Sequence, residues 1–460
     1  MTETAAHFIA RSTAKAEDLD HRRKLNYNIG KYDAVVPAGK AQFGDIHLAR
    51  ERAKNTKWKA IEHLDKQLEE FETVFSQRGG RVIWAENTEQ ALMEILAICK
   101  KKSCRTIVKS KSMVTEEIKL NHFLEEHGIE SIETDLGEYI QQLDGEAPYH
   151  IVTPAMHKSK EDVAKLFHEK LHTEPDLSPG QLTLVAREKM RKKYLEAEIG
   201  ITGANFIISD AGAIAVTENE GNARLSCAFP KTHIVIAGIE KVIPSLTDLA
   251  LFWPLLATYG TGQRLTVYNT IVTGPRQMGE ADGPDEMYVI LLDNGRTNIL
   301  ANEVARESLY CIRCGACLNA CPVYKNIGGH SYGTTYSGPI GSVITPHLRE
   351  MQDWKHLSYA SSLCGNCTEV CAVKINLHEL LLENRHEAVE SGYATWSEKI
   401  AWKVWKTASL NRVLMNGGNR KLKNWMVNKL FSGWTAHRGE LDFSPKTFNQ
   451  RWKQQQRAGR

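Results

Sequence analysis

The sequence predicts an α/β fold followed by two smaller helical parts, and two patterns in the chain support this. The first is an alternation of short apolar strands and amphipathic helices over residues 46–300, which is typical of a mostly parallel sheet covered by helices. The second is a dense group of cysteines over residues 301–392, which indicates a small α-helical, ferredoxin-like domain. Residues 393–460 then have a helical pattern rich in lysine and tryptophan.

The elements of the α/β domain follow from periodicity and from glycine. Residues 1–45 are polar and basic, and we expect them to be an irregular N-terminal extension. A long helix should follow, because apolar residues from Ile61 to Val74 recur every three or four positions before Gly79 and Gly80. Strands are predicted at residues 81–85, 106–109, 129–133, 150–153, 205–209, 213–217, 233–238, 267–272 and 286–293, and further helices at 87–101, 115–127 and 187–199.

Two cysteine motifs organise the second part of the chain. The first has the spacing C-x2-C-x2-C-x3-C-P and comprises Cys311, Cys314, Cys317, Cys321 and Pro322. In the bacterial ferredoxin run with this spacing, three cysteines bind one iron–sulfur cluster and the fourth binds another. The second motif, C-x2-C-x3-C, comprises Cys364, Cys367 and Cys371. Crossed ligation would give one cluster held by Cys311, Cys314, Cys317 and Cys371, and another held by Cys321, Cys364 and Cys367.

The second cluster has only three visible thiolates. A complete second motif would place a cysteine at position 361, and the chain has Ser361 there. This cluster is therefore either of the 3Fe–4S type or a 4Fe–4S cluster with a fourth ligand of another kind. Zinc would use only four of the seven cysteines, and disulfides are rare in a chain without a secretory signal. The cysteines outside the motifs are expected to be small buried apolar residues: Cys99, Cys104 and Cys227.

Three loops of the α/β domain carry polar residues suited to ligand binding. They are residues 110–112, after a strand where open α/β sheets often bind anions, residues 201–204 and residues 217–224. Arginine binds carboxylates and phosphates in a bidentate manner, so the third loop is suited to a small anionic ligand. The structural alternative is a polar turn in which Arg224 pairs with Glu218 or Glu220. The candidate ligand residues are Thr202, Glu218, Asn219, Asn222 and Arg224.

Positive charge is concentrated near the end of the chain. Residues 397–460 carry a net charge of +11, which leaves −8 on the remainder of a chain whose total is +3. Six of the ten tryptophans lie at or after position 396: Trp396, Trp402, Trp405, Trp425, Trp434 and Trp452. We favour contact with a partner protein over a helical cap or an anionic membrane surface, and nucleic acid is the weakest option. Without an export signal or a long apolar run, we expect no transmembrane segment and a cytoplasmic location.

The order of these features resembles the lactate-utilisation protein B family. The resemblance rests on the segments CIRCGACLNACPVY, GGHSYG with GPIG, and CGNCTEVCAVKINL, on residues 201–224 and on the basic tail. It covers nearly the whole chain, and the departure is Ala372, where the motif usually has proline. It implies a lactate-utilisation (LUD) domain at residues 46–300, similar to the sugar-phosphate isomerase and CoA-transferase fold.

What the resemblance implies for function is a cytoplasmic complex of three subunits that oxidises L-lactate to pyruvate. This chain would carry electrons without being catalytic alone, and the small 2-hydroxy acid would concern it only indirectly. Clusters do not abstract hydride, so a flavin or a further cluster site must exist elsewhere. Two other functions stay open: a transferase-like or isomerase-like enzyme for a small anionic substrate, with Glu218 as nucleophile or base, and a scaffold whose clusters sense redox state.

Overall fold

The computed structural model describes residues 2–430 and 439–458. Contacts within the chain divide it into two compact units, Met1–Ala388 and Val389–Arg460. The first unit contains the strands and all seven motif cysteines, and the described part of the second unit is helical. The predicted class, an α/β region followed by helical regions, is confirmed.

A parallel sheet forms the centre of the first unit. The strands described in this unit are β1 (Arg81–Ala85), β2 (Thr106–Lys109), β3 (Glu130–Glu133), β4 (Ile199–Thr202), β5 (Phe206–Ile208), β6 (Ala213–Glu218), β7 (Thr232–Gly238), β8 (Val242–Ile243), β9 (Tyr268–Val272) and β10 (Glu286–Leu292). Six of them form a sheet with the order β1-β10-β7-β4-β2-β3, in which every neighbouring pair is parallel. Strand β7 is buried along its whole length, as expected for a strand whose sheet is covered on both faces.

The other four strands form a separate sheet with the order β8-β5-β6-β9. Strand β6 pairs with β5 and β9 in antiparallel fashion, and β5 pairs with β8 in parallel. The periodicity of these short segments does not show which of the two sheets they join, because the pairing of a strand depends on tertiary contacts. The strand predicted at residues 150–153 is wrong, since that segment is an irregular loop.

The N-terminal residues are helical, so the prediction of an irregular extension is wrong. They form the helices Glu3–Glu17 and Leu19–Lys40. Leu25 and Ile29, one turn apart on the second helix, are fully buried, and Thr4 donates a hydrogen bond to the Asp353 carbonyl oxygen at 2.6 Å. Because so few apolar positions mark the buried face, packing on the cysteine region stabilises these helices more than their own sequence pattern does.

Helices cover the sheets and partly follow the predicted boundaries. They are Ile46–Glu62, Leu64–Gln77, Thr88–Lys101, Met113–Glu117, Leu120–Glu126, Leu136–Asp144, Lys160–Leu171, Pro179–Glu196, Asn222–Ala228, Leu249–Thr261 and Arg296–Ala301. Asn87 caps its helix by accepting a hydrogen bond from the Gln90 N–H at 3.0 Å. The predicted long helix is interrupted at His63, and the one predicted at residues 115–127 is interrupted at Lys119, whose φ is +54°.

The cysteine region consists of short helices that share their core with the α/β region. The helices are Ala316–Ala320, Tyr324–Ile327, Gly338–Leu348, Met351–Trp354, His356–Tyr359, Asn366–Glu369 and Leu377–Glu390, with 3-10 turns at Ala305–Tyr310 and His330–Tyr332. One hydrophobic core contains Ile151 and Tyr259 together with Ile312 and Leu318. The core is therefore continuous across residue 300, where the sequence predicts a domain boundary.

The second unit is helical in its described part, as predicted. Its helices are Trp396–Leu410, Arg412–Asn416, Arg420–Leu430 and Phe448–Ala458. Five of the tail tryptophans are more than half exposed: Trp396, Trp402, Trp405, Trp425 and Trp452. The sixth, Trp434, lies outside the described residues. In the described ranges, no helix is both long and apolar enough to cross a membrane.

Candidate iron–sulfur site

The first group of cysteines surrounds one small cavity. It is lined by Cys311, Cys314, Cys317 and Cys371, which come from both motifs. Between the ligand positions the backbone enters the left-handed region at Arg313, with φ +59°, and at Gly315, with φ +79°. A Cβ at Gly315 would lie only 3.0 Å from a side-chain carbon of Val152. Glycine is therefore needed there both for the turn and for the close packing.

The remaining three motif cysteines form a second group. Burial, followed by the neighbouring thiols Cys321 and Cys364, raises the pKa of Cys367 to about 11. Cys364 is exposed, whereas Cys321 and Cys367 are buried. The two groups are those that crossed ligation requires, and the ligation itself stays a prediction.

Both groups offer cysteine sulfur, the usual donor to iron–sulfur clusters, and the first group also has suitable surroundings. Burial, with neighbouring thiols adding to it, raises the pKa of Cys314 and of Cys371 to about 12. A bound cation favours the thiolate form of such buried thiols, and the iron of a cluster held by these cysteines would supply that charge. The backbone N–H groups of Arg313 and Ile375 lie 3.4 and 3.3 Å from the Sγ atoms of Cys311 and Cys371. Such N–H groups stabilise negative charge on ligand sulfur.

Ser361 occupies the position of the missing cysteine in the second motif. Its Oγ accepts a hydrogen bond from the Leu363 N–H at 3.1 Å, and the Sγ of Cys311 accepts one from the Arg313 N–H in the first motif. Leu363 has a φ of +54°, close to the +59° of Arg313. A hydroxyl oxygen therefore takes the place that sulfur has in the first motif.

A second cavity, of about 390 Å³, adjoins the first cysteine group, and Cys314 lines both cavities. The three loops predicted to bind ligands meet here, because residues 110–112, 203–204 and 217–220 all line its wall. Two of these loops follow strands β2 and β4 of the parallel sheet. The carboxyl ends of such strands are the usual ligand position in open α/β sheets.

The predicted ligand residues divide into those on the cavity and those away from it. Glu218, Asn219 and Asn222 line the cavity, and so does Glu220. Thr202 does not line it; this side chain is fully buried and hydrogen-bonded to His233 at 2.9 Å. Arg224 is exposed and also lies away from the lining.

Glu218 has a structural role in this loop. Its carboxylate accepts hydrogen bonds from the backbone N–H groups of Ala223, at 2.7 Å, and Arg224, at 2.9 Å, at the start of helix Asn222–Ala228. Burial raises the pKa of Glu218, and burial together with Asp135 raises that of Glu220 to about 7. Glu218 therefore contacts the Arg224 backbone, and among the described residues no ion pair joins the Arg224 side chain to Glu218 or Glu220.

Two cations on the cavity wall were not among the predicted site residues. Lys241 follows strand β7, and Arg313 lies inside the first cysteine motif. Lys111, from a predicted loop, is also on the wall and donates a hydrogen bond to the Val152 carbonyl oxygen at 2.9 Å. Lys241 and Arg313 were missed because their segments meet only in three dimensions. In the sequence, their one signal is that each is a basic residue in a notable position: Lys241 shortly follows a predicted strand, and Arg313 precedes a cysteine ligand.

Comparisons with known proteins agree with this architecture. Residues 68–292 match the LUD domain family, and residues 307–375 match the 4Fe-4S dicluster domain family. The chain is similar to Lactate utilization protein B of Bacillus velezensis, with 48% identity over 82% of this chain and 80% of that protein. The proteins of the same name from Bacillus licheniformis and Bacillus subtilis are 49% and 46% identical over 79% and 82% of this chain, and over 76% and 79% of their own lengths. The predicted iron–sulfur cofactors are thereby confirmed as a class.

Proposed function

The chain belongs to the lactate utilization protein B family, and on this premise we propose that it is the iron–sulfur electron-transfer subunit of a complex that oxidises L-lactate to pyruvate. The observation that carries the proposal is the division of seven cysteines into two groups in one compact unit. Iron–sulfur clusters bound there would each accept and pass on a single electron. Two such centres suit a reaction that releases two electrons.

The surroundings of the two groups support a route from the interior to the surface. The first group is enclosed by the core and adjoins the cavity of about 390 Å³ through Cys314. The second group includes the exposed Cys364. In this proposal, electrons enter near the cavity and leave through the second group to an acceptor protein.

The same proposal includes partners and a location. The chain acts in the cytoplasm with two other subunits of a lactate-utilisation system, and one of these carries the hydride acceptor that the chemistry needs. The basic helical tail with its exposed tryptophans is the candidate contact surface, because tryptophan and arginine are common interface anchors. Peripheral contact with an anionic membrane surface is the weaker alternative for this tail.

A transferase or isomerase activity has less support. In that reading Glu218 would be the nucleophile or base, yet its carboxylate already accepts two backbone hydrogen bonds at a helix start. Hydrogen bonds to a carboxylate stabilise its charge and reduce its nucleophilicity. The cavity itself is suited to binding a small ligand.

The test is lactate-dependent reduction of the clusters in the assembled complex. The tagged chain is purified anaerobically from its host with its partners, and L-lactate is added while EPR spectra and pyruvate are recorded. We expect cluster signals to change, with one pyruvate formed for every two electrons accepted. Unchanged cluster signals during pyruvate formation would refute the electron-transfer role.

A further inference from the structure

The cavity beside the first cysteine group has the size and position of a ligand site. Its volume of about 390 Å³ falls within the usual range for small-molecule pockets. It lies at the ends of strands β2 and β4, and Cys314 forms part of its wall. A molecule bound there would therefore lie against the first cysteine group.

Lys241 is a buried cation on this wall without a direct partner. The residue is 8% exposed, and among the described residues its ammonium makes no hydrogen bond and no ion pair. The nearby carboxylate of Glu240 is already bound by Arg296 at 2.6 Å and by Arg313 at 3.4 Å. A buried charge is costly unless it is paired, so an anion on the cavity side would complete this arrangement.

Arg313 gives a second incomplete donor at the same wall. Its Nη2 atom is bound to Glu240, while its buried Nη1 atom has no hydrogen-bond partner among the described residues. The guanidinium is held in place over the Tyr336 ring, 4.6 Å from its centroid. A fixed guanidinium with a free N–H and a neighbouring ammonium is a receptor for a carboxylate.

The rest of the wall limits the charge of the ligand. Asp135 and Glu220 lie near Lys111, which already has Asp135 as an ion-pair partner at 3.5 Å. These acids would repel a second negative charge, whereas Asn219 and Asn222 offer hydrogen bonds to a hydroxyl or carbonyl oxygen. A singly charged acid with one such oxygen fits this set of groups.

We propose that this cavity binds a small 2-hydroxy or 2-oxo monocarboxylate, with Lys241 and Arg313 holding its carboxylate beside the first cysteine group. The choice of this acid class rests on the proposed function, and the anion site rests on the Lys241 ammonium and the Arg313 Nη1 atom, which have no hydrogen-bond partner among the described residues. The alternative role for these cations is to neutralise the cluster that Cys314 and its neighbours would hold.

The test uses the full chain with its clusters loaded anaerobically and pyruvate as the probe, measured by calorimetry. Lys241→Met should weaken pyruvate binding roughly 10- to 100-fold, as expected for loss of a charged hydrogen bond, with unchanged iron and sulfide content. Lys241→Arg should retain most of the affinity. Lys231→Met, which removes an exposed lysine outside the cavity, is the matched control and should bind pyruvate like the wild type.

Three results would overturn the proposal. The first is failure of the wild-type chain to bind pyruvate. The second is unchanged pyruvate binding by Lys241→Met together with a shifted cluster potential. The third is binding of inorganic phosphate as tight as that of pyruvate. The readout is independent of lactate turnover. If the wild-type chain does not bind pyruvate but its clusters accept electrons from lactate in the complex, the binding-site inference is refuted and the electron-transfer role is not. Pyruvate binding in a chain whose clusters stay silent refutes the electron-transfer role alone.

Discussion

The two cysteine motifs have the same local backbone but different surroundings. In both, the residue before one cysteine has positive φ: Arg313 before Cys314 in the first motif and Leu363 before Cys364 in the second. In both, a glycine follows that cysteine, with φ of +79° at Gly315 and +78° at Gly365, and a short helix begins there. The two motifs therefore share one type of backbone turn around their cysteines. Differences in their side chains and exposure should then account for any difference between the clusters they bind.

The differences are in one ligand, one charge and exposure. Cys311 of the first motif corresponds to Ser361 of the second, and the buried Cys314 corresponds to the exposed Cys364. Arg313 places a guanidinium in the first motif, where the second has Leu363. A cluster in the first motif would therefore be more enclosed and would have a guanidinium within its binding turn, and both enclosure and nearby charge set reduction potential. The comparison predicts two clusters of unlike type and unlike potential.

The largest expected effect is loss of a whole cluster through crossed ligation. Cys371→Ser should remove the cluster of the first motif and roughly half of the bound iron, because Cys371 lies with Cys311, Cys314 and Cys317. Cys367→Ser is the matched control and should remove the other cluster. The check is iron and sulfide analysis with EPR of both variants. If both substitutions abolish the same EPR signal, the assignment of Cys371 is wrong.

The next effect concerns the tail and complex formation. Deleting residues 397–460 should leave both clusters in place and abolish binding of the partner subunits, since the tail carries a net charge of +11 and exposed tryptophans. Binding of the intact chain should weaken with salt, because exposed charges are screened within about 10 Å at 0.1 M. The measurement is pull-down of the partners over a salt series. Undiminished yield with the truncated chain would show that the tail is not the contact surface.

Restoring the missing cysteine should change the type of the second cluster. Wild-type protein should interconvert between 3Fe and 4Fe forms as iron is removed and added, and Ser361→Cys should fix the 4Fe form. Ser362→Cys, at the adjacent exposed residue, is the control and should behave like the wild type. Oxidation followed by EPR distinguishes the forms. A wild-type chain with two oxidation-resistant 4Fe–4S clusters would mean that the second cluster has a fourth ligand of its own.

Exchanging the charge between the motifs should move the potentials without loss of a cluster. Arg313→Leu should lower the first cluster's reduction potential by on the order of 50 mV, because a nearby positive charge favours the reduced form. Leu363→Arg should raise the potential of the second cluster. Redox titration of each variant gives the shift and its sign. Equal reduction potentials of the two clusters in the wild-type chain would contradict the expected effect of Arg313 and of enclosure.

The smallest effect is expected at Arg224, which the sequence assigns to the ligand loop. Because its side chain is exposed and outside the cavity, Arg224→Ala should leave pyruvate affinity unchanged and alter the unfolding free energy by less than about 0.5 kcal/mol. Calorimetric titration and a denaturation curve provide the check. A clear loss of affinity would place Arg224 at the ligand after all.

The parallel sheet and the two motifs could be predicted because their signals are local. Alternating strands and helices specify the sheet, and cysteine spacing specifies which thiols share a turn. The three polar loops were also recognised, since residues that follow parallel strands share one edge of the sheet.

What could not be predicted depends on tertiary contacts. The helix Leu19–Lys40 buries few apolar residues, so its pattern resembles a polar extension until it packs on the rest of the unit. Lys241 has no local mark of a binding residue. It is identified by its burial beside Arg313 and by the lack of a hydrogen bond or ion pair with any described residue. Thr202 and Arg224 look like ligands in the sequence, but one is directed into the core and the other is exposed.

The most direct test of the two-cluster account is an EPR-monitored redox titration of the anaerobically purified chain, with iron, sulfide and zinc analysis. We predict iron and sulfide in similar amounts and two signals with separate midpoint potentials. One should come from an enclosed 4Fe–4S cluster and the other from a cluster that gains and loses one iron. Zinc without sulfide, or clusters that stay silent across the accessible potentials, would contradict the account.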